Sequence, residues 1–226
     1  MSLVASEPTT SVPDMVTRLG QLGWAGLEAY LAMMGDRRGP QIHYREGYLT
    51  LVTPSPLHED RSDRLDGVVK AICVELAIAM RPTGSTLFQR RDLDHGIEAD
   101  KSYYVGNVGG MRRVNNAIDL NACPPPDLMI EVEVTNPVAN ALAICRALHV
   151  PEVWTYDAPR EELSFFHLDE ADQYRAVRTS RSFPFLHAAE VAPWLDSPDD
   201  EPYHLWESRL RAWVREVLGP RHAAGA

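Results

Sequence analysis

The chain has 226 residues, of which 45% are hydrophobic and 24% charged. These are the proportions of a globular protein with enough apolar mass for one large core, which excludes collagen-like and wholly disordered chains. The net charge is −10, so nucleic-acid affinity, which comes from cations displacing counterions around phosphates, cannot be a property of the whole surface. No apolar run reaches the roughly 18 to 20 residues that span a bilayer, and the start, MSLVASEPTTSVPD, lacks the basic and apolar stretches of a secretory signal. The expectation is a cytoplasmic protein with no membrane segment. Cys73, Cys123 and Cys145 are odd in number and far apart, which fits buried thiols better than a disulfide frame or a zinc site.

In chain order, residues 1–15 are rich in Ser, Thr and Pro and read as a flexible arm. Trp24, Leu27, Leu31 and Met34 recur at helical spacing and predict a short helix ending near Gly35. QIHYRE and YLTLVT are β-rich and meet at Glu46-Gly47, a hairpin turn. After Pro54-Ser55-Pro56, the spacing of Leu65, Val68, Val69, Ile72, Leu76 and Met80 predicts a long helix over 57–80. TLFQRR and IEADKSYYV read as two strands joined by DLDHG, and residues 106–126 as a long loop ending in three prolines.

DLMIEVEVT then alternates as a strand, ALAICRALHV as a helix and EVWTYD as a second strand. That order favours a right-handed crossover and a parallel pair. ELSFFHL and YRAVRT read as a hairpin at the sheet margin. An amphipathic helix carrying Trp206, Leu210, Trp213 and Val217 closes the chain to residue 218, with 219–226 as a flexible tail. The fold class is thus α/β with a mixed sheet, one domain over 16–200, and a helix over 201–218 that packs on this domain or on a second copy.

The strand DLMIEVEV carries acids where an inner strand should be apolar. Glu131 and Glu133 share one face roughly 6 to 7 Å apart, and Glu98 and Asp100 share a face of the preceding strand. If the two strands are neighbours, three or four carboxylates converge, and a hard divalent cation such as Mg²⁺ or Mn²⁺ would relieve their repulsion. Such an ion polarises phosphoryl oxygens and activates water. The plain alternative is an edge strand with its glutamates in water. Spacing leaves both open.

GIEADKSYYV, PPPDLMIEVEVTNP and LHVPEVWTYD, with the upstream TPSPLHE and its helix, resemble the Uma-type family of restriction endonucleases, part of the PD-(D/E)XK nuclease superfamily. The resemblance covers roughly residues 24–190. It implies a restriction-endonuclease-like fold, a central mixed sheet flanked by helices, acting as a metal-dependent endonuclease on DNA. Asp100 matches the first acid, with Ala99 where the family has proline, and Glu131 matches the second. Glu133 stands where the superfamily has its lysine and serves as a third acid. His58 matches a histidine at the mouth of the long helix. Relatives that supply a lysine from the following helix place it near Ala141, and here Arg146 is the cation of that helix.

Asp100, Glu131, Glu133, His58 and Arg146 are therefore the candidate catalytic residues, the three acids the candidate metal ligands. Arg90, Arg91, Arg112 and Arg113 are the candidate grips on DNA. The missing lysine keeps a second class open, a catalytically silent module binding nucleic acid or a protein partner. A homodimer through the C-terminal helix is a further possibility to test.

Overall fold

The computed structural model describes residues 12–35, 37, 39–84, 86–106, 108–109, 117–134, 139–196 and 201–225. Two six-stranded sheets carry the fold, where the sequence pattern suggests one. The first holds β1 (Met15–Gln21), β2 (Gln41–Arg45), β3 (Tyr48–Thr53), β5 (Leu87–Arg90), β6 (His95–Glu98) and β8 (Ala117–Asp119), in the order β1-β3-β2-β6-β5-β8. The second runs β12-β11-β10-β9-β7-β4, built from β4 (Met80–Pro82), β7 (Lys101–Val105), β9 (Leu128–Glu133), β10 (Glu152–Asp157), β11 (Glu162–Leu168) and β12 (Tyr174–Val177). The division arises within IEADKSYYV: the chain leaves the first sheet after Glu98 and enters the second at Lys101, so this segment is two strands and not one.

In the first sheet, β2 and β3 form the expected hairpin. Its turn residues Glu46 and Gly47 have φ of 50° and 85°, the double left-handed conformation of a two-residue turn whose twist matches the strands. β1, which no apolar alternation announces, pairs with β3 from Met15 onward and Asp14 is buried, so these two residues are not part of the arm expected over 1–15, of which residues 1–11 lie outside the described residues. One face of this hairpin sheet buries Ile42, Tyr44 and Leu49 against Leu27 of helix α1 (Gly23–Met34). β8, within the expected long loop, pairs in parallel with β5.

In the second sheet, β9 and β10 are parallel and joined by helix α3 (Ala139–Ala147), the predicted crossover. Leu128, Ile130 and Val132 of β9 face a core shared with helix α2 (Pro56–Glu75), whereas Met129 faces a core with Ile144 and Cys145 of α3. By alternation Glu131 and Glu133 follow Met129 on the α3 side. The Ser55 side chain accepts from His58 N at the start of α2, with Pro56 in the first turn. Helix α2 ends at Glu75 because Ala77 turns left-handed (φ 54°), which sends Met80 into β4 instead of the helix predicted to include it.

After the short helix α4 (Ala188–Val191), α5 (Tyr203–Trp213) passes through a π-helical turn at Val214–Leu218 into α6 (Gly219–Gly225), where a flexible tail was expected. Trp206, Leu210, Val214 and Leu218 are buried against Leu65, Val68 and Ile72 of the same chain. Gly67 is required for this contact, since a Cβ there would meet the Trp206 ring at 2.7 Å.

Candidate active site

A cleft of about 330 Å³ opens where the C-terminal end of β9 meets the outer face of the β1–β3 sheet. Its floor is Glu131, Val132 and Glu133, its wall is Gln41, His43, Arg45, Thr50 and Arg18, and the first turn of α3 adds Asn140 and Ala141. The geometry follows from two alternations. Strand β2 sends Ile42 and Tyr44 into the core and so must send Gln41, His43 and Arg45 into the cleft. Strand β9 sends Met129 under α3 and so must send Glu131 and Glu133 past its end.

Asp100 lies behind the floor. β7 pairs with β9 through Lys101 and Ile130, and continuing that antiparallel register sets Asp100 across from Glu131. Asp100 Oδ2 accepts from Val132 N at 2.7 Å, and Oδ1 accepts from Gln41 Nε2 at 2.6 Å and lies 2.8 Å from His58 Nε2. The other nitrogen of His58 lies 3.1 Å from Asp14 Oδ2, and Asp14 Oδ1 accepts from Ser55 N at 2.8 Å. His58 is thus a buried cation clasped between two aspartates. Burial alone pulls its imidazole down, but the bonds to Asp100 and Asp14 outweigh burial and hold it at about 10. Burial pushes Asp14 up, yet the bonds from His58 and Ser55 leave it below the usual carboxylate range.

Glu131 is only 5% exposed, and among the described residues its Oε1 has no hydrogen-bond partner. Burial, then the charge of Asp100, push its pKa well above that of an ordinary glutamate; His58 works the other way and Glu133 adds to the rise. His43 Nε2, also unpartnered, lies 3.8 Å from Glu131 Oε2. Burial lowers the His43 pKa to about 4, so at neutral pH this contact is a neutral ring beside a carboxyl and not an ion pair. An unsatisfied buried polar atom costs about 1 to 3 kcal/mol, and two of them in one cleft make it the candidate site.

Among the described residues, no group of three or more His, Cys, Asp or Glu is arranged to hold a metal ion. The donor set still suits magnesium, which keeps several waters and takes one or two protein carboxylates together with substrate phosphate oxygens. Glu131 Oε1 is an oxygen ligand without a hydrogen-bond partner among the described residues, and the mutual repulsion of Asp100, Glu131 and Glu133 is what a divalent ion would remove.

The structure brings Glu131, Glu133 and His58 to the cleft with Asp100 directly behind them. Glu98 turns away into the first sheet, where it accepts from Ile42 N at 3.1 Å and burial raises its pKa to about 7. Arg146 does not line the cleft; it bonds Asp172 at 3.3 Å. Arg90 is held by Asp92 at 2.8 and 2.6 Å and Arg91 by Glu28 at 3.3 Å, both outside the cleft lining, while Arg112 and Arg113 fall outside the described residues. Lys101 points away from Asp100, as alternation requires, and bonds Asp63 at 2.8 Å. The sequence reading missed Asp14, Gln41 and His43. For the last two the signal was present in the polar face of QIHYR, which needed a destination.

Over residues 27–198 the chain matches the Uma2 family, described as a putative restriction endonuclease. Among solved structures it is similar to a putative nuclease belonging to DUF820 from Anabaena variabilis, with a TM-score of 0.53 at 16% identity, over 75% of this chain and 98% of that one. No curated protein matches. At this identity the structural likeness bears on the fold alone, and the fold is restriction-endonuclease-like. With the family match covering residues 27–198, the chain belongs to the Uma2 family.

Proposed function

We propose that the protein is a Mg²⁺- or Mn²⁺-dependent endonuclease that hydrolyses phosphodiester bonds of DNA in the cleft at the end of β9. The observation that carries this reading is the buried, unpartnered Oε1 of Glu131 beside Asp100 and Glu133. Glu131 and Asp100 would hold the ion, with Glu133 as a third acid. When bound, the ion would polarise a phosphoryl oxygen and acidify a water. The chain's own groups set the stage for that chemistry. Val132 N and Gln41 fix the two oxygens of Asp100, and the His58 cation offsets part of the buried negative charge. His43, neutral at pH 7, offers a ring nitrogen that can accept a hydrogen bond from an attacking water.

The test is nicking of supercoiled and single-stranded DNA by purified protein in Mg²⁺, Mn²⁺ or chelator, beside Glu131→Gln. Metal-dependent cutting that disappears in the variant supports the reading. Cutting that survives both Glu131→Gln and Asp100→Ala sinks it.

A silent module with the same fold is the second reading. It is favoured by the absence of any lysine from the cleft lining and by the three protein groups already bound to Asp100. Calorimetric Mn²⁺ binding without turnover on DNA or on small phosphodiesters is the outcome it expects.

A further inference from the structure

The wall of the cleft continues beyond the acids. Across the hairpin, Gln41 pairs with Val52, His43 with Thr50 and Arg45 with Tyr48, and β1 sets Arg18 opposite Thr50. Residues paired in this way share a face of the sheet, and alternate residues along a strand are roughly 6 to 7 Å apart. The row on β2 therefore leads outward from Gln41, bonded to Asp100, past His43, 3.8 Å from Glu131, to Arg45 at the mouth. There a second hollow of about 230 Å³ adjoins the first and shares His43, Arg45, Thr50 and Asn140 with it. The two form one groove.

Beyond the carboxylates of its floor the groove is lined by two arginines, Arg18 and Arg45, and by one acid, Glu46. Arg18 is exposed and makes no hydrogen bond or ion pair with another described residue. Arg45 has only a 3.5 Å contact to Glu46, with the two side chains 41% and 66% exposed, a pair worth little in water. Tyr48 is 54% exposed and lines the outer hollow, so its ring face is open to a flat ligand. In a protein of net charge −10, a polyanion brought to a floor of carboxylates needs cations close by, and this wall provides two.

We infer that the groove is the track of an unpaired DNA strand, with Arg18 and Arg45 on phosphates next to the one held at the acids and Tyr48 stacked on a base. The choice of ligand rests on the phosphodiesterase reading of the acids. The contacts themselves concern binding alone. A single strand is favoured over a duplex because a base offers its ring face to Tyr48 only when it is unstacked from its neighbours.

Binding of a fluorescent single-stranded oligonucleotide, and of the duplex of the same sequence, is measured by anisotropy with full-length Glu131→Gln protein in chelator. The single strand is expected to bind more tightly. Adding Tyr48→Ala weakens it roughly five- to a hundredfold, while Tyr48→Phe, which keeps the ring, does not. Adding Arg18→Ala or Arg45→Ala each lowers the slope of log K against log salt by about 0.7, and Arg160→Ala, at the exposed β10–β11 turn outside the groove lining, leaves it unchanged. Unchanged slopes in both groove variants, or a duplex preference insensitive to Tyr48, overturn the inference. Binding that depends on these residues in a protein that never cuts leaves the track standing and removes the nuclease reading. Cutting and binding indifferent to all three residues do the reverse.

Discussion

Two glutamates lie buried in adjacent strands of the second sheet, Glu152 on β10 and Glu131 on β9, 0% and 5% exposed. Glu152 is saturated with donors: Oε1 accepts from Trp154 Nε1 at 2.9 Å and Arg181 N at 3.0 Å, and Oε2 accepts from Ser182 N at 2.8 Å. Burial pushes its pKa up, yet His167, 3.6 Å from Oε1, and the bonds from Trp154 and Ser182 bring it below the ordinary glutamate value. Glu131 has the same burial, an orphaned oxygen and two acids for neighbours, and its pKa moves the other way. Residue type and burial are shared, so the donors around one and the acidic neighbours of the other decide the difference. One carboxylate ties the 180–183 loop to the sheet; the other keeps an oxygen without a protein donor among the described residues, which is the position the proposed metal ion would take.

Removing each in turn should separate the two roles. Glu152→Ala strands two backbone N–H groups and the Trp154 indole, and is expected to cost about 3 to 5 kcal/mol in urea denaturation. Glu131→Gln should leave the melting temperature unchanged or raise it, because it removes a carboxyl that burial and Asp100 already disfavour as an anion. Metal-dependent cleavage by the same variant should fall a hundredfold or more, about 2.7 kcal/mol in the barrier. A Glu131→Gln protein as destabilised as Glu152→Ala would erase the distinction between the two sites.

His58 sharpens the comparison through pH. Its folded pKa, at about 10, lies above the unfolded value near 6.5. Its stabilisation is therefore complete below pH ~6.5 and lost as pH rises through about 10. Asp14, held below its ordinary value, contributes above pH ~3.8 and loses its share as pH falls. Between pH 7 and 9 the wild type should lose about 1 to 2 kcal/mol more stability than His58→Gln, allowing for the coupling of the imidazole to two acids. Parallel stability profiles for the two proteins would mean that His58 is not the cation of the Asp14–Asp100 clasp.

How legible the molecule was in its sequence depended on the range of the interaction. Local periodicity was enough for α1, the β2–β3 hairpin and the β9-α3-β10 crossover. Alternation in DLMIEVEV was enough to place Glu131 and Glu133 on one face. It misled at Glu98, because a change of sheet within GIEADKSYYV leaves no mark on a pattern of period two. Nor does sequence show that Asp14 and Gln41 meet His58 and Asp100 across separations of 44 and 59 residues. Those contacts come from the packing of β1 and β2 against the end of α2 and β9. β1 itself is an edge strand whose side chains are mostly exposed, so it carries little apolar alternation to find.

The smallest expected effect concerns a lysine, which does not occur among the residues lining the cleft. Relatives with a lysine on the helix after β9 place it near Ala141, but here Ala141 is 4% exposed and packed into the α3 core, so a long side chain there would disrupt it. Asn140, one residue earlier, is partly exposed and lines both halves of the groove. Asn140→Lys therefore brings an ammonium toward the acids without displacing Glu133. It is expected to raise the single-turnover cleavage rate about tenfold, some 1.4 kcal/mol in the barrier, by stabilising charge that develops on the phosphate. Asn140→Gln controls for size and hydrogen bonding. A lysine variant no faster than the glutamine variant would show that the arginines of the wall and the His58 cation already meet the electrostatic need.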